Sequence, residues 1–164
     1  YQSGLNIISD ICDIPEPDES FDAVLCTEVL EHVPNPIDAL KELHRLLKIN
    51  GDLVLTTPFS SLTHYAPYYY HTGFSQYFYE YWLNKIGFRI LEIGYNGNYF
   101  EWLAQELRRL PSIAESQSNA KVSWIGKKAI QILLIFLGRC SENNTRSENL
   151  LSFGLHVHAK KVIS

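Results

Sequence analysis

In the stretch CTEVLEHVPNP, residues 26–36, Glu28, Glu31 and His32 follow one another at i, i+3 and i+4. If the stretch is helical, the three side chains share one face. Two carboxylates beside an imidazole can hold a divalent cation, wall a ligand pocket, or mark the start of a helix, where acids complement the positive end of the dipole. His32 is also a candidate general base, because an imidazole titrates near neutral pH and can accept a hydroxyl proton. The alternative is a buried histidine with its hydrogen bonds satisfied. A second concentration of such side chains is HYAPYYYHTGFSQYFYEYW, residues 64–82. Its tyrosines cannot all be core, since a buried phenol needs a partner. They and His71 form either a substrate loop or an aromatic cover for a sheet edge.

The elements that must position these groups follow from pattern. Leu5–Ser9, ending at Asp10, has the short apolar run of a buried strand, and Phe21–Cys26 has another. Between them DIPEPDES supplies turn chemistry. Asn35-Pro36 predicts an N-cap followed by proline at the first helical position, with Asp38 in the first turn. Ile37, Leu40, Leu43, Leu46 and Leu47 recur at helical period until Asn50-Gly51. Asp52–Thr57 is a third strand, ended by Pro58. Ser75 opens a helix carrying Phe78, Trp82, Leu83 and Ile86, Gly87 closes it, and Phe88–Tyr95 is a fourth strand. Tyr99–Leu110 is an amphipathic helix that Pro111 ends. Serine-rich linkers around 112–119 and 141–149 bracket a helix rich in isoleucine and leucine, and Phe153–Val162 alternates as a last strand, antiparallel or at an edge. Strands alternating with helices imply an α/β fold on an open sheet, with ligands beyond the carboxyl ends of the strands. Asp10, Cys26-Thr27-Glu28 and Thr56-Thr57 are such ends, so Asp10 and Glu28 are expected at one rim.

With 164 residues, 46% apolar and 20% charged, the composition fits one globular domain and excludes collagen-like, disordered and disulfide-scaffold classes. A formal charge of −4 gives no support to affinity built on neutralising phosphates, so no nucleic-acid partner is expected. Cys12, Cys26 and Cys140 form no CxxC pair, and no basic-then-apolar leader opens the chain, which predicts a reducing, cytoplasmic location. The apolar run Ile132–Leu137 falls far short of the ~18 residues that cross a bilayer. It sits within KKAIQILLIFLGR, residues 127–139, whose basic ends suit a buried helix, a homodimer face or peripheral membrane contact. His156 and His158 alternate late in the chain with no acid beside them and are expected to be structural. The chain begins at Tyr1 and contains no methionine, so a piece of a longer protein is expected.

Taken in order, an acid after a strand (Asp10), Ile14-Pro15, SFDAVLCTEVLEHV (20–33) and ALKELHRLLKINGDLVLTTP (39–58) resemble the class I S-adenosylmethionine-dependent methyltransferases, specifically the type 11 group. The likeness runs from about Ile7 to Pro58, and the strand after Gly87 extends it. It implies a Rossmann-like methyltransferase sheet, mostly parallel with an antiparallel last strand. The expected organisation is a single domain with a partial core over 1–98, a helical insertion over 99–149 that matches nothing in the pattern, and the last core strand over 150–164. The implied activity is methyl transfer from S-adenosylmethionine to oxygen, nitrogen or carbon of a small-molecule or carrier-linked acceptor. Position by position, Asp10 corresponds to the acid that hydrogen-bonds the adenine amino group and Ile11 to the apolar residue packed on the adenine ring. Cys26 and Thr27 end the strand whose backbone lines the methionine part, and Glu28 and Leu30 follow in the adjoining wall. His32 and His71 are the catalytic candidates, since in-line displacement at a sulfonium methyl needs positioning first and a base only as the acceptor requires.

Two branches of the resemblance stay open. The sequence E-x-x-E-H is similar to that of ubiquinone-pathway O-methyltransferases and small-RNA 2′-O-methyltransferases, in which these residues and a later histidine bind a divalent cation. Glu28, Glu31, His32 and His71 would then be the ligands. The same EHV is widespread in type 11 enzymes without metal, and a metal is the less expected outcome. The family's glycine-rich loop after the first strand and ribose-binding acid after the second would lie before Tyr1, so the N-terminal strands are expected to be missing. A non-catalytic remnant or interaction module with the same fold is the alternative. Tyr81 and Lys85 also make a YxxxK, as in short-chain dehydrogenases, but among ten tyrosines a chance match is the simpler account.

Overall fold

The computed structural model describes residues 7–163. Its elements are β1 (Phe21–Thr27), α1 (Pro36–Leu46), β2 (Leu47–Pro58), α2 (Gln76–Ile86), β3 (Phe88–Asn96), α3 (Tyr99–Ser118), α4 (Trp124–Glu142) and β4 (Gly154–Lys161), with one-turn 3₁₀ helices at Leu30–His32 and Ser147–Asn149. Two units divide the chain: residues up to Gly94 together with those from Gly154 on, and residues 95–153.

The sheet has the order β1-β2-β4-β3. β1 runs parallel to β2, with Cys26 opposite Leu55 and Thr27 opposite Thr56. β4 runs antiparallel to β2, with Leu55 opposite Val157. Beyond β4, Phe153 N–H donates to Asn96 O and Val162 N–H to Gly87 O, each at 2.9 Å, so β3 is antiparallel to β4 as well. Three strands therefore point one way and the last strand the other, the mixed Rossmann-like sheet that the sequence implies. The last strand lies inside the sheet, between β2 and β3, not at an edge.

Alternation decides which face is core. Leu53, Leu55 and Thr57 of β2 share a face with Leu155, Val157 and Ala159 of β4, and all are buried. Leu40 and Leu43 of α1 and Tyr79 and Leu83 of α2 close over it. Burying each such leucine contributes about 1.5–3 kcal/mol. One polar pair sits inside this layer, with the Thr57 and Tyr79 hydroxyls 2.6 Å apart. Gly87 ends α2 at φ 110°, a left-handed conformation that glycine adopts without strain. Gly94 is required for a different reason, because a Cβ there would fall on the His156 ring.

Several expectations change. Ile7–Ser9 is exposed and not a strand, and the first residues of the predicted Leu5–Ser9 strand lie outside the described ones. β1 ends the sheet, and no described strand lies beyond it to pair with that segment. β1 is also mostly exposed instead of buried, with Leu25 at 71%, because alternation turns Leu25 to the sheet face opposite buried Cys26. α1 stops at Leu46, and Leu47–Asn50 joins β2, because Leu47 pairs with Phe21. The side chain of Asn35 makes no cap bond and hydrogen-bonds Asp38 instead. α3 continues through Pro111 to Ser118, turning the predicted linker into helix; Ser118 Oγ bonds the Ala114 carbonyl and Asn119 closes the end in the left-handed region. His156 and His158 do have acids nearby, across the sheet: Asp52 lies 2.7 Å from His158 and Glu92 lies 3.7 Å from His156.

Thr57→Val removes the partner of a buried phenol. It should destabilise the protein by about 1–3 kcal/mol in urea unfolding, and Thr57→Val/Tyr79→Phe should recover part of that loss because no polar atom is then stranded.

Candidate functional site

The parallel pair β1 and β2 brings Thr27 and Pro58 to the same rim. The chain turns there through Glu28, whose φ of 52° is left-handed and whose N–H still donates to Thr56 O at 2.9 Å. A single 3₁₀ turn, Leu30–His32, follows in place of the expected α-helical face. Glu28 stays exposed, whereas Glu31 is at 0% exposure. The segment after β2 folds back onto this turn, as Tyr70 and His71 N–H both donate to the Glu31 carbonyl, at 3.0 and 3.2 Å. Ser61 N–H to Thr72 O and Phe74 N–H to Pro58 O close the loop on itself.

The side chains held there are chemically specific. Nδ1 of His32 lies 2.5 Å from the Tyr68 carbonyl and Nδ1 of His64 lies 2.9 Å from the Leu62 carbonyl. A carbonyl only accepts, so in each ring Nδ1 carries the proton and, in the neutral form, Nε2 keeps its lone pair. The two rings meet edge to face at 4.9 Å, with Tyr65 and Tyr69 against His32. Nε2 of His32 is 3.7 Å from the Glu31 carboxylate, both of whose oxygens are buried without a hydrogen-bond partner. Burial pushes the Glu31 carboxyl above the ordinary 4.5, and nearby Glu28 adds to this, while the dipole of its own backbone N–H and the two imidazoles oppose it.

The metal-ligating atoms that gather, all within 4.8 Å of one another, belong to Glu31, His32 and His64. The geometry thus joins the first two to His64, and joins neither Glu28 nor His71 to them. The His71 ring packs 5.3 Å from Phe74 with its Nε2 buried and unpaired. His64 was not singled out by spacing, since its approach depends on a loop closing over 32 residues of chain; its place in the same tyrosine-rich stretch was the available signal. Tyr81 and Lys85, 3.4 Å apart, stand on α2 with Tyr81 exposed.

Asp10, which ends no described strand, accepts the Cys12 N–H on Oδ1 at 2.8 Å and pairs in an isolated bridge with Asp13. Asp10 is exposed, so its carboxylate is accessible to a donor such as an exocyclic amine. Ile11 is half-buried against the core, and Cys26 is buried with its thiol pushed up to about 11, mainly by burial. The turn is anchored on α1: Ile14 N–H donates to Glu42 Oε1 at 2.8 Å, while Arg45 bonds the carbonyls of Ile14 and Glu16 and the Asp18 carboxylate. A cleft of about 400 Å³ lies between Ile11, Ile14, Phe21, Val24 and Leu43. A larger cavity, about 580 Å³, belongs to the unit 95–153 and contains none of these groups; residue chemistry, not cavity size, locates the site.

A family model described as a methyltransferase domain matches residues 2–55. The ubiquinone biosynthesis O-methyltransferase of Xanthomonas oryzae pv. oryzae is 55% identical over 38 residues, which are 23% of this chain and 16% of that protein. Among solved structures, a candidate sarcosine dimethylglycine methyltransferase from Galdieria sulphuraria has a TM-score of 0.53 at 16% identity, covering 94% of this chain and 57% of that one. The cyclase SpnF has a TM-score of 0.51 at 17% identity, covering 95% and 55%. The chain spans less than two thirds of the length of each of these relatives, and at such identities the structures establish the fold alone.

The buried Glu31 gives the site a pH signature. Its folded carboxyl keeps a proton to higher pH than the unfolded one, so stability falls as pH rises from 4.5 and levels off above the folded pKa. In chelator-containing buffer, Glu31→Gln should lose this decline, making the variant the more stable protein at pH 8 relative to pH 4. Identical pH profiles of urea unfolding would show that this carboxylate carries no such penalty.

Proposed function

We propose that this chain, whose residues 2–55 match a methyltransferase domain model, belongs to a class I S-adenosylmethionine-dependent enzyme that methylates a small-molecule or carrier-linked acceptor. The observation that carries this reading is the His32 imidazole at the strand-end rim, its tautomer set by the Tyr68 carbonyl and its Nε2 left free as a base. S-adenosylmethionine, when bound, supplies an electrophilic methyl on a sulfonium. The residues present suit it: the exposed Asp10 carboxylate can accept from the adenine amine, Ile11 offers an apolar surface for the ring, and Cys26, Thr27 and Glu28 supply backbone at the end of β1. Glu31 would hold charge on His32 as it takes the acceptor proton, and the Tyr65 and Tyr69 rings narrow the approach to Nε2. His71 acts in this scheme mainly through its N–H on Glu31, fixing the loop. The short likeness to ubiquinone biosynthesis O-methyltransferases supports oxygen as the acceptor atom.

Calorimetric titration of the whole protein with S-adenosylhomocysteine should show binding, weakened roughly tenfold or more in Asp10→Ala. Absence of binding would leave a non-catalytic module with this fold. His32→Ala should lower kcat by roughly 10²–10⁴ with little change in the affinity for S-adenosylhomocysteine; an unchanged rate would remove His32 as the base.

A second reading rests on Glu31. A buried carboxylate with neither oxygen paired, beside two imidazoles whose Nδ1–H groups are each held by a carbonyl, is the donor arrangement of a divalent metal site. Excess chelator should then abolish activity, manganese or cobalt should restore it, and His64→Ala should weaken metal binding by titration. Full activity in chelator would dispose of a catalytic ion.

A further inference from the structure

α4 packs one face within the unit 95–153, where Leu137 is buried and Leu134 lines a cleft with Phe100 and Ala104 of α3. The opposite face is apolar and open: Trp124, Ile125, Ile132, Leu133, Ile135 and Phe136 are each between 47% and 74% exposed. At 3.6 residues per turn, Ile125, Ile132, Ile135 and Phe136 fall within an arc of about 100°. Lys128 and Arg139 lie in the same arc at its two ends, about 16 Å apart along the axis. Lys127 adds to the charge, Lys121 pairs with Glu115 at 3.9 Å, and no acid occurs between Glu115 and Glu142 in a chain whose net charge is −4. Among the described residues, no carboxylate pairs with Lys127, Lys128 or Arg139.

We propose that this face of α4 is a membrane-surface contact that takes an anionic lipid bilayer, the helix lying in the plane of the interface. Its apolar arc enters the acyl boundary while the lysine and arginine stems reach up to the phosphates. Among the described residues no helix is long and apolar enough to cross a membrane, so the contact is peripheral. Charge selects lipid over a second copy of the chain. Whether two α4 helices paired parallel or antiparallel through this arc, Lys128 and Arg139 of one would meet cations of the other, whereas phosphate headgroups neutralise both. The inference is independent of the methyl-transfer reading, and its test measures binding and not turnover.

The whole protein is sedimented with vesicles of phosphatidylcholine alone and of phosphatidylcholine mixed with phosphatidylglycerol. Binding to the mixed vesicles is expected, weakened roughly tenfold or more in Lys127→Ala/Lys128→Ala/Arg139→Ala and lost in Ile135→Gln/Phe136→Gln. Circular dichroism checks that the variants keep their fold. Independently of them, the emission of the wild-type protein should shift to the blue on mixed vesicles, and Trp124→Phe should remove the shift with Trp82 and Trp102 in place. No partition of the wild-type protein onto anionic vesicles would overturn the proposal, as would light scattering that shows a dimer dissociated by Phe136→Gln.

Discussion

The parallel ladder between β1 and β2 fixes the rim on which the candidate groups stand. Its hydrogen bonds do not stop with the strand: the Glu28 N–H extends the ladder to the Thr56 carbonyl, and the chain must turn there in a left-handed conformation. That turn sends Leu30 and Glu31 inward and His32 outward. The carbonyl of Glu31, fixed by the turn, then captures the two N–H groups of Tyr70 and His71 and draws the tyrosine-rich segment over the site. β2 can serve as this support because it is paired on both sides and its inward leucines are sealed by α1 and α2.

Two acids of this unit show opposite solutions to burial. Glu42 faces Arg45 and the Ile14 N–H, and those hydrogen bonds hold its carboxyl below the usual range. The pair ties the 13–20 turn to α1 and thereby sets Asp10 and Ile11. Glu31 has no such cation; the side chains nearest its carboxylate include the imidazoles of His32 and His64. A buried polar group left unmatched is uncommon enough in folded proteins to need a cause, and here the cause is chemical: a proton or a cation is the ligand that would satisfy it.

Much of the sheet was legible from residue order. Alternation in Phe153–Val162 and the apolar run of Phe21–Cys26 are local signals, and each reads as a strand. The reversal of β4 is expected from its alternation and from the resemblance, whereas its insertion between β2 and β3 is not local, because it depends on partners far away in the chain. Pro111 shows the same limit: it removes one hydrogen bond, yet the helix continues because later residues cap it. The exposed state of Leu25 follows from its pointing to the sheet face opposite Cys26, and which face is covered cannot be read from the strand's own sequence.

At the site, the sequence by itself determined the inventory: Asp10 after an apolar run, Glu28, Glu31 and His32 at close spacing, a tyrosine-rich stretch with His64 and His71, and a basic-ended apolar helix. These are properties of neighbouring residues, so composition and spacing carry them. Only the tertiary structure decided that Glu31 is buried and Glu28 is not, that His64 joins His32 while the His71 ring turns to Phe74, and that one apolar face of α4 is left open. Each of those outcomes depends on which surfaces remain after distant segments have packed, and desolvation and partner geometry exist only once they have.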